Sequence, residues 1–161
     1  MISKDRIYDN MKRLVEVSGV SGTDEEVKAA YKLEELLYEI PYFKKHKENV
    51  KLIPIEGDPF DRCVVTAYLE ACPKSKKVVI LTGHYDVVDV EEYGQLQEMA
   101  YNVEEITKCI NQMPLDEDSK KDFESGEWIF GRGTADMKFG HAMCLELLRH
   151  FSEEGGINGN I

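Results

Sequence analysis

The sequence predicts an α/β fold in which a mixed, largely buried β-sheet is flanked by helices, and three observations carry that reading. Residues 78–83, Val-Val-Ile-Leu-Thr-Gly, form a continuous apolar run of the kind found in a strand buried on both faces. Segments rich in β-forming residues alternate along the chain with segments whose apolar residues recur at helical spacing. The helical segments also carry their own start or stop signals.

Taken in order, residues 4–18 predict an amphipathic helix with Ile7, Met11, Leu14, Val15 and Val17 along its stripe, ended by Ser18-Gly19. Thr23 with Glu26 three positions on is a capping-box pattern. It opens a second helix that carries Val27, Ala30, Tyr31, Leu33 and Leu37 until Pro41. Residues 51–55 alternate before Gly57-Asp58-Pro59 and predict a short strand, with Pro54 at an edge position or strand end. Val64, Val65, Thr66, Tyr68 and Leu69 mark a strand over 62–71, which the basic turn at 73–77 would join to the 78–83 run as a hairpin.

Beyond Asp89 the character changes. Asn102 and Glu105 predict a capped helix bearing Val103, Ile106, Ile110 and Met113 as far as Pro114, followed by a short acidic helix near 116–124. Residues 128–130 predict a brief strand and Gly131-Arg132-Gly133 a tight turn. The last helix spans 137–154, with Cys144, Leu145, Leu148 and Phe151 as its core stripe and Gly155-Gly156 as its stop. Residues 157–161 enter a further strand. No repeat, low-complexity tract or linker divides the chain, so 1–161 reads as belonging to one domain.

Composition excludes several function classes. The 42% hydrophobic and 32% charged content is that of a soluble globular protein. No apolar run approaches the roughly 20 residues of a membrane span, so no membrane partner is expected. The N-terminus lacks the basic start and apolar core of a signal peptide, and the expectation is a cytoplasmic protein. Cys63, Cys72, Cys109 and Cys144 are scattered, which argues against a disulfide framework or a Cys-rich zinc site. A net charge of −11 repels phosphate backbones and disfavours nucleic acid as a partner. Residues 89–127 alone hold 12 Asp and Glu against 3 Lys, which marks an acidic surface insertion at about 91–125.

Two constellations carry chemistry. In Gly83-His84-Tyr85-Asp86-Val87-Val88, His84 and Asp86 are two apart, so in an extended segment they point to the same side. A metal-bound imidazole needs its second ring N–H held by a carboxylate, a part Asp86 is placed to take. A hydrogen-bonded histidine at a strand end is the competing reading. In Gly126-Glu127-Trp128-Ile129-Phe130-Gly131-Arg132-Gly133-Thr134-Ala135-Asp136-Met137-Lys138, a strand and a glycine turn deliver Asp136 to a helix start. There it reads either as a helix N-cap or as a carboxylate bridging two cations.

The two segments in this order resemble the aminoacylase/carboxypeptidase family of di-zinc exopeptidases. The similarity extends to two leading helices with Ser18-Gly-Val-Ser-Gly-Thr23 between them, the strand pair and the helix after Asp136. The acidic insert and the Asp-Val-Val-Asp-Val-Glu-Glu run at 86–92 look most like its arginine-utilisation branch. The resemblance implies that 1–161 is the N-terminal part of a metallopeptidase catalytic domain. His84 would be a ligand of one zinc, Asp86 its supporting catalytic carboxylate, and Asp136 a bridge between two zinc ions, followed by a typically cis peptide. Gly131, Arg132 and Gly133 would shape the turn presenting Asp136. The sequence departs from the pattern at Asp89, where many members have proline, and in the length of the link between the motifs.

The family's adjacent Glu-Glu pair, which supplies the general base and a zinc ligand, is expected after the strand that 157–161 begins. Glu153-Glu154 precede that strand and read as a solvated last helical turn. The remaining ligands and a separate dimerisation or lid domain would also lie elsewhere. The implied activity is metal-dependent hydrolysis of a peptide or N-acyl amino acid by the intact protein. Two zinc ions would acidify a bridging water and the general base would take its proton. The 161 residues alone are expected to be inactive and to hold zinc weakly. The competing reading is a non-catalytic binding or scaffold domain that retains the fold.

Overall fold

A computed structural model describes residues 1–155 and 157–161. Helix α1 (Lys4–Val15) starts at Ser3, whose hydroxyl accepts from the Arg6 N–H, and it buries Met11, Leu14 and Val15. Helix α2 (Glu25–Tyr38) starts one residue later than the capping pattern suggests. Thr23 Oγ1 accepts from Glu25 N at 3.2 Å, while the Glu26 carboxylate reaches back to Gly22 N at 2.5 Å. Pro41 opens a third short helix, α3 (Pro41–Lys45), at a position where a missing N–H has no partner to lose.

Strands β1 (Val50–Pro54) and β2 (Cys63–Ala67) pair antiparallel, with Val50 opposite Ala67 and Pro54 opposite Cys63. Asp58 ties the turn between them. Its carboxylate accepts from Phe60 N at 3.0 Å, Arg62 N at 2.9 Å and the Arg62 guanidinium at 2.8 and 2.5 Å. Those bonds, the Arg62 side chain's above all, hold the Asp58 carboxyl down at about 2.

The mixed helix-and-strand composition of an α/β chain is present, while the expected mixed, largely buried sheet is, among the described residues, a small two-stranded one. Among the described residues the sheet has two strands, and β2 pairs with β1 rather than with 78–83, so the hairpin across 73–77 does not form. Nor is 78–83 a buried central strand: Ile80 is 82% exposed, and among the described residues the run meets strand-like backbone only where Val78 bridges Asn160 in parallel. An apolar run reports what a segment tolerates on its two faces but supplies no partner. Burial of both faces requires neighbours on both edges as well. Residues 128–130 likewise form no strand, and the Phe130 N–H is taken by Thr107 Oγ1 at 3.0 Å.

Helix α6 (Phe139–Glu154) begins two residues after its expected start, behind a tight turn over Thr134–Lys138. Gly155 caps its C-terminal end; Gly156, the other half of the expected stop, lies outside the described residues. The main core packs α2, α3 and α6 against Val50 and Leu69 through Leu33, Leu36, Phe43, Leu145 and Leu148. Buried Glu146 of α6 accepts from Ser3 N at 2.7 Å and from Arg6 at 2.9 and 2.7 Å, which fixes the start of α1 on α6.

Residues 91–125 are mostly helical: a 3-10 stretch over Glu91–Met99, α4 (Val103–Cys109) capped by Asn102, a 3-10 turn, and α5 (Glu117–Ser125) capped by Asp116. They bury a small cluster of their own around Leu96, Ile106 and Ile110. Their carboxylates face outward, with only Asp122 half-buried. No helix among the described residues is long and apolar enough to cross a membrane.

Because the folded value of Asp58 is about 2 and its ordinary value is 3.8, its stabilising effect is present above pH 3.8 and is lost as the pH falls through about 2. Asp58→Asn is therefore expected to lower stability at neutral pH and to flatten the pH profile in that acid window. Urea denaturation followed from about pH 2 to pH 6 reads this directly, and a variant with an unaltered acid limb would contradict it.

Candidate functional site

The segments around His84 and Asp136, 52 positions apart in sequence, meet at one surface. His84 leaves the 78–83 run and is held from three sides. Its Nε2 lies 2.8 Å from Asp136 Oδ1, and its Nδ1 lies 3.1 Å from both Asp86 Oδ1 and the Asp86 carbonyl. The backbone carbonyl of His84 accepts from His141 Nε2 at 2.7 Å. Asp86 in turn accepts from the Ser21 hydroxyl at 2.5 Å.

The loop 18–23 carries Ser21 and runs beside residues 86–88. Val87 N donates to Gly19 O at 3.0 Å, and Ser21 N donates to Val87 O at 2.8 Å. His84, Asp86 and Asp136 thus converge, and the His84–Asp136 contact is a direct hydrogen bond. Glu153 and Glu154 lie in the last turn of α6, where Glu154 contacts His150 at 3.3 Å.

Two glycines let the segments interlock. A Cβ on Gly83 would meet the tip of the Met137 side chain and stand 3.0 Å from His141 Cε1, so Met137 lies directly across the end of the 78–83 run. Gly133 has φ +78°, and a Cβ there would stand 2.6 Å from Val87 Cγ1. The turn that follows carries Asp136 at φ −124°, ψ 97°, and the peptide bond to Met137 is cis. Asp136 does not cap α6, because Lys138 occupies the N-cap position. Arg132 anchors the other side of the turn: its N–H donates to Ala100 O at 2.8 Å and its guanidinium reaches Glu92 at 3.1 Å.

The electrostatics follow from this arrangement. The hydrogen bond to Asp136 raises the His84 pKa, with burial opposing and Asp86 adding to the rise. The Ser21 hydroxyl leads in lowering the Asp86 pKa. Burial lowers the His141 pKa. An imidazole flanked by two carboxylates favours the imidazolium, which donates from both nitrogens.

Imidazole nitrogen and carboxylate oxygen are donors that zinc takes, and a carboxylate on Nδ1 leaves the Nε2 lone pair free for a metal. Two ligating side chains fall short of the three or four that zinc requires. Among the described residues no group of three or more His, Cys, Asp or Glu side chains is placed to hold a metal ion. The described residues thus bring together two side chains of donor types that zinc takes, without a third.

Ser21, Lys138 and His141 join this constellation without having been assigned a role from the sequence. Ser21 lay within a segment that the family resemblance covered. His141 carried no signal, since its contact with His84 spans 57 positions.

An α/β chain with a converged, solvent-facing His–Asp–Asp group has relatives among known proteins. Over 149 residues, 92% of its length, it is 36% identical to Protein RocB of Bacillus subtilis (strain 168). Over 161 residues, 99% of its length, it is 35% identical to Uncharacterized protein YqjN of the same organism. It spans about a quarter of the length of these relatives, 26% and 28% respectively. No protein-family model matches the chain, and no solved structure does.

Two outcomes test the geometry. Gly133→Ala is expected to destabilise by about 1–3 kcal/mol, combining backbone strain with the collision at Val87. Gly57→Ala, at a similar φ of +74° with open space around it, should show the backbone part alone. Equal losses in thermal denaturation would remove the interlock. In chelator-treated protein, Asp136→Asn is expected to lower the His84 pKa toward 6.5 in an NMR titration. A folded pKa raised above 6.5 implies stabilisation that is fully present below pH 6.5 and lost as the pH rises through the raised folded pKa, so the variant should also lose this acid-side stability.

Proposed function

We propose that this chain supplies part of the metal centre of a zinc-dependent amide hydrolase of the aminoacylase or exopeptidase type. In a protein of the relatives' length, His84 would bind one zinc through Nε2 and Asp136 would bridge two. Asp86, oriented by Ser21, would fix the His84 tautomer. The observation that carries this reading is the 2.8 Å approach of His84 Nε2 to Asp136 Oδ1, with Asp86 on the opposite ring nitrogen. The general base and the remaining ligands would come from outside these 161 residues. The substrate class is a peptide or an N-acyl amino acid, and a link to arginine utilisation rests on the resemblance of the 86–92 run and the acidic insert. A cytoplasmic location and a homodimer formed through a further domain belong to the same reading.

A second reading, a non-catalytic α/β binding or scaffold domain, is favoured by one observation: among the described residues no third metal donor joins the pair. Calorimetric zinc titration beside a hydrolysis assay on dipeptides and N-acyl amino acids separates the two. The 161-residue chain is expected to bind zinc more weakly than micromolar and to show no turnover. A chain of the relatives' length should bind zinc tightly and turn over substrate, and His84→Ala should abolish both. Activity absent from the long chain as well would favour the scaffold.

A further inference from the structure

Residues 80–86 cross the surface with little to hold their backbone. Before them Val79 N donates to Asn160 O, and after them Val87 N donates to Gly19 O. Between those two bonds no backbone group of the segment pairs with another backbone group among the described residues. Tyr85 and Asp86 are tied through their side chains, to Cys63 O at 2.7 Å and to the Ser21 hydroxyl at 2.5 Å. Among the described residues one donor from outside the segment reaches its backbone. It is His141 Nε2, which lies 2.7 Å from the carbonyl oxygen of His84.

The acceptor fixes the chemistry of this bond. A carbonyl oxygen cannot donate, so His141 Nε2 carries the proton, and in the neutral ring Nδ1 is then bare. The ring also lies close against the segment it holds, since a Cβ on Gly83 would stand 3.0 Å from its Cε1. His141 sits in the first turn of α6, three residues beyond Lys138, and residues three apart on a helix are neighbours on one face. From that face Lys138 reaches the carbonyls of Val17 and Ser18, and His141 reaches that of His84. Asp136 lies just ahead of the same turn. The start of α6 therefore carries Asp136 through the chain itself and His84 through one hydrogen bond. The exposed contact between the two side chains is too weak to align the segment by itself.

We propose that His141 is the positioning residue of His84: its Nε2–H bond to the His84 carbonyl sets, from the first turn of α6, the place and direction at which the His84 imidazole meets Asp136. His141 touches the backbone of His84 and not its ring, so it acts on the aim of the imidazole and takes no part in what the imidazole binds. The role holds whichever of the two functions described above the pair serves.

The test compares the 161-residue chain with His141→Gln, whose amide can keep an N–H near the place of Nε2, and His141→Leu, which keeps apolar bulk without a donor. In the unaltered chain the long-range nitrogen–proton NMR spectrum of the imidazoles is expected to show His141 protonated at Nε2. A ring protonated at Nδ1 alone would overturn the proposal without recourse to any variant. Backbone nitrogen relaxation then reads local order. Order parameters at Gly83, His84 and Tyr85 are expected at about 0.85 in the unaltered chain and in His141→Gln, and below about 0.6 in His141→Leu, with α6 unchanged. The cross-relaxation between the His84 ring protons and the Asp136 methylene should persist in His141→Gln and vanish in His141→Leu. Undiminished order at the three residues in His141→Leu would overturn the proposal, and so would equal losses in both variants. A loss spread evenly through α6 would overturn it as well, since His141 would then serve packing alone.

Discussion

Among the described residues Lys138 is the one buried cation, and the convergence of His84, Asp86 and Asp136 depends on it. It is 2% exposed, and its ammonium donates to the carbonyls of Val17 at 2.5 Å and Ser18 at 3.2 Å, just past the end of α1. No carboxylate is within ion-pair reach of it among the described residues, and burial pushes its pKa down to about 8. Carbonyls beyond a helix C-terminus are a favourable place for a positive charge, because the helix dipole and the orphan acceptors both point there. The consequence is mechanical. The turn bearing Asp136 is tied to the start of the loop that carries Ser21, and that loop pairs with Val87 beside Asp86. One ammonium thus ties the turn that supplies Asp136, by way of the Ser21 loop, to the segment that supplies His84 and Asp86.

The acidic excursion complements this anchor from the opposite side. Residues 91–125 bury only apolar side chains of their own and leave their carboxylates in water, where charge is cheap to hold. They grip the Asp136 turn through backbone and through Arg132, whose guanidinium lies 5.2 Å from the Tyr93 ring centre and meets Glu92. The turn is therefore clamped between a buried lysine on one flank and a half-buried arginine on the other. Neither contact places charge in the apolar core.

What the sequence disclosed follows the range of the interactions involved. Asn102 and Asp116 cap α4 and α5 through bonds three residues long, so those helix starts were legible from composition alone. The 78–83 run was legible as apolar but not in its pairing, because strand partners are chosen by distant residues and by register. Its expected hairpin partner bonds instead to β1, whose turn is fixed by Asp58 and Arg62. At the site, two spaced motifs and a family resemblance nominated His84, Asp86 and Asp136. The residues that orient them, Ser21, Lys138 and His141, act across 65, 121 and 57 positions, so even where Ser21 and Lys138 stood inside the motif segments their partners could not be read locally.

The His84–Asp136 pair is itself too exposed to be the cause of its own geometry. His84 is 48% and Asp136 87% exposed at the side chain. An ion pair of that kind contributes about 0–1 kcal/mol, less than the entropy of ordering the two loops that carry it. The convergence must therefore be imposed by the packing of Met137 over Gly83, by Val87 against Gly133 and by the Lys138 anchor. Those contacts involve neither the His84 ring nor the Asp136 carboxylate. The two exposed side chains are thus aimed at one point by packing around them, and their own contact gives almost nothing back to the fold.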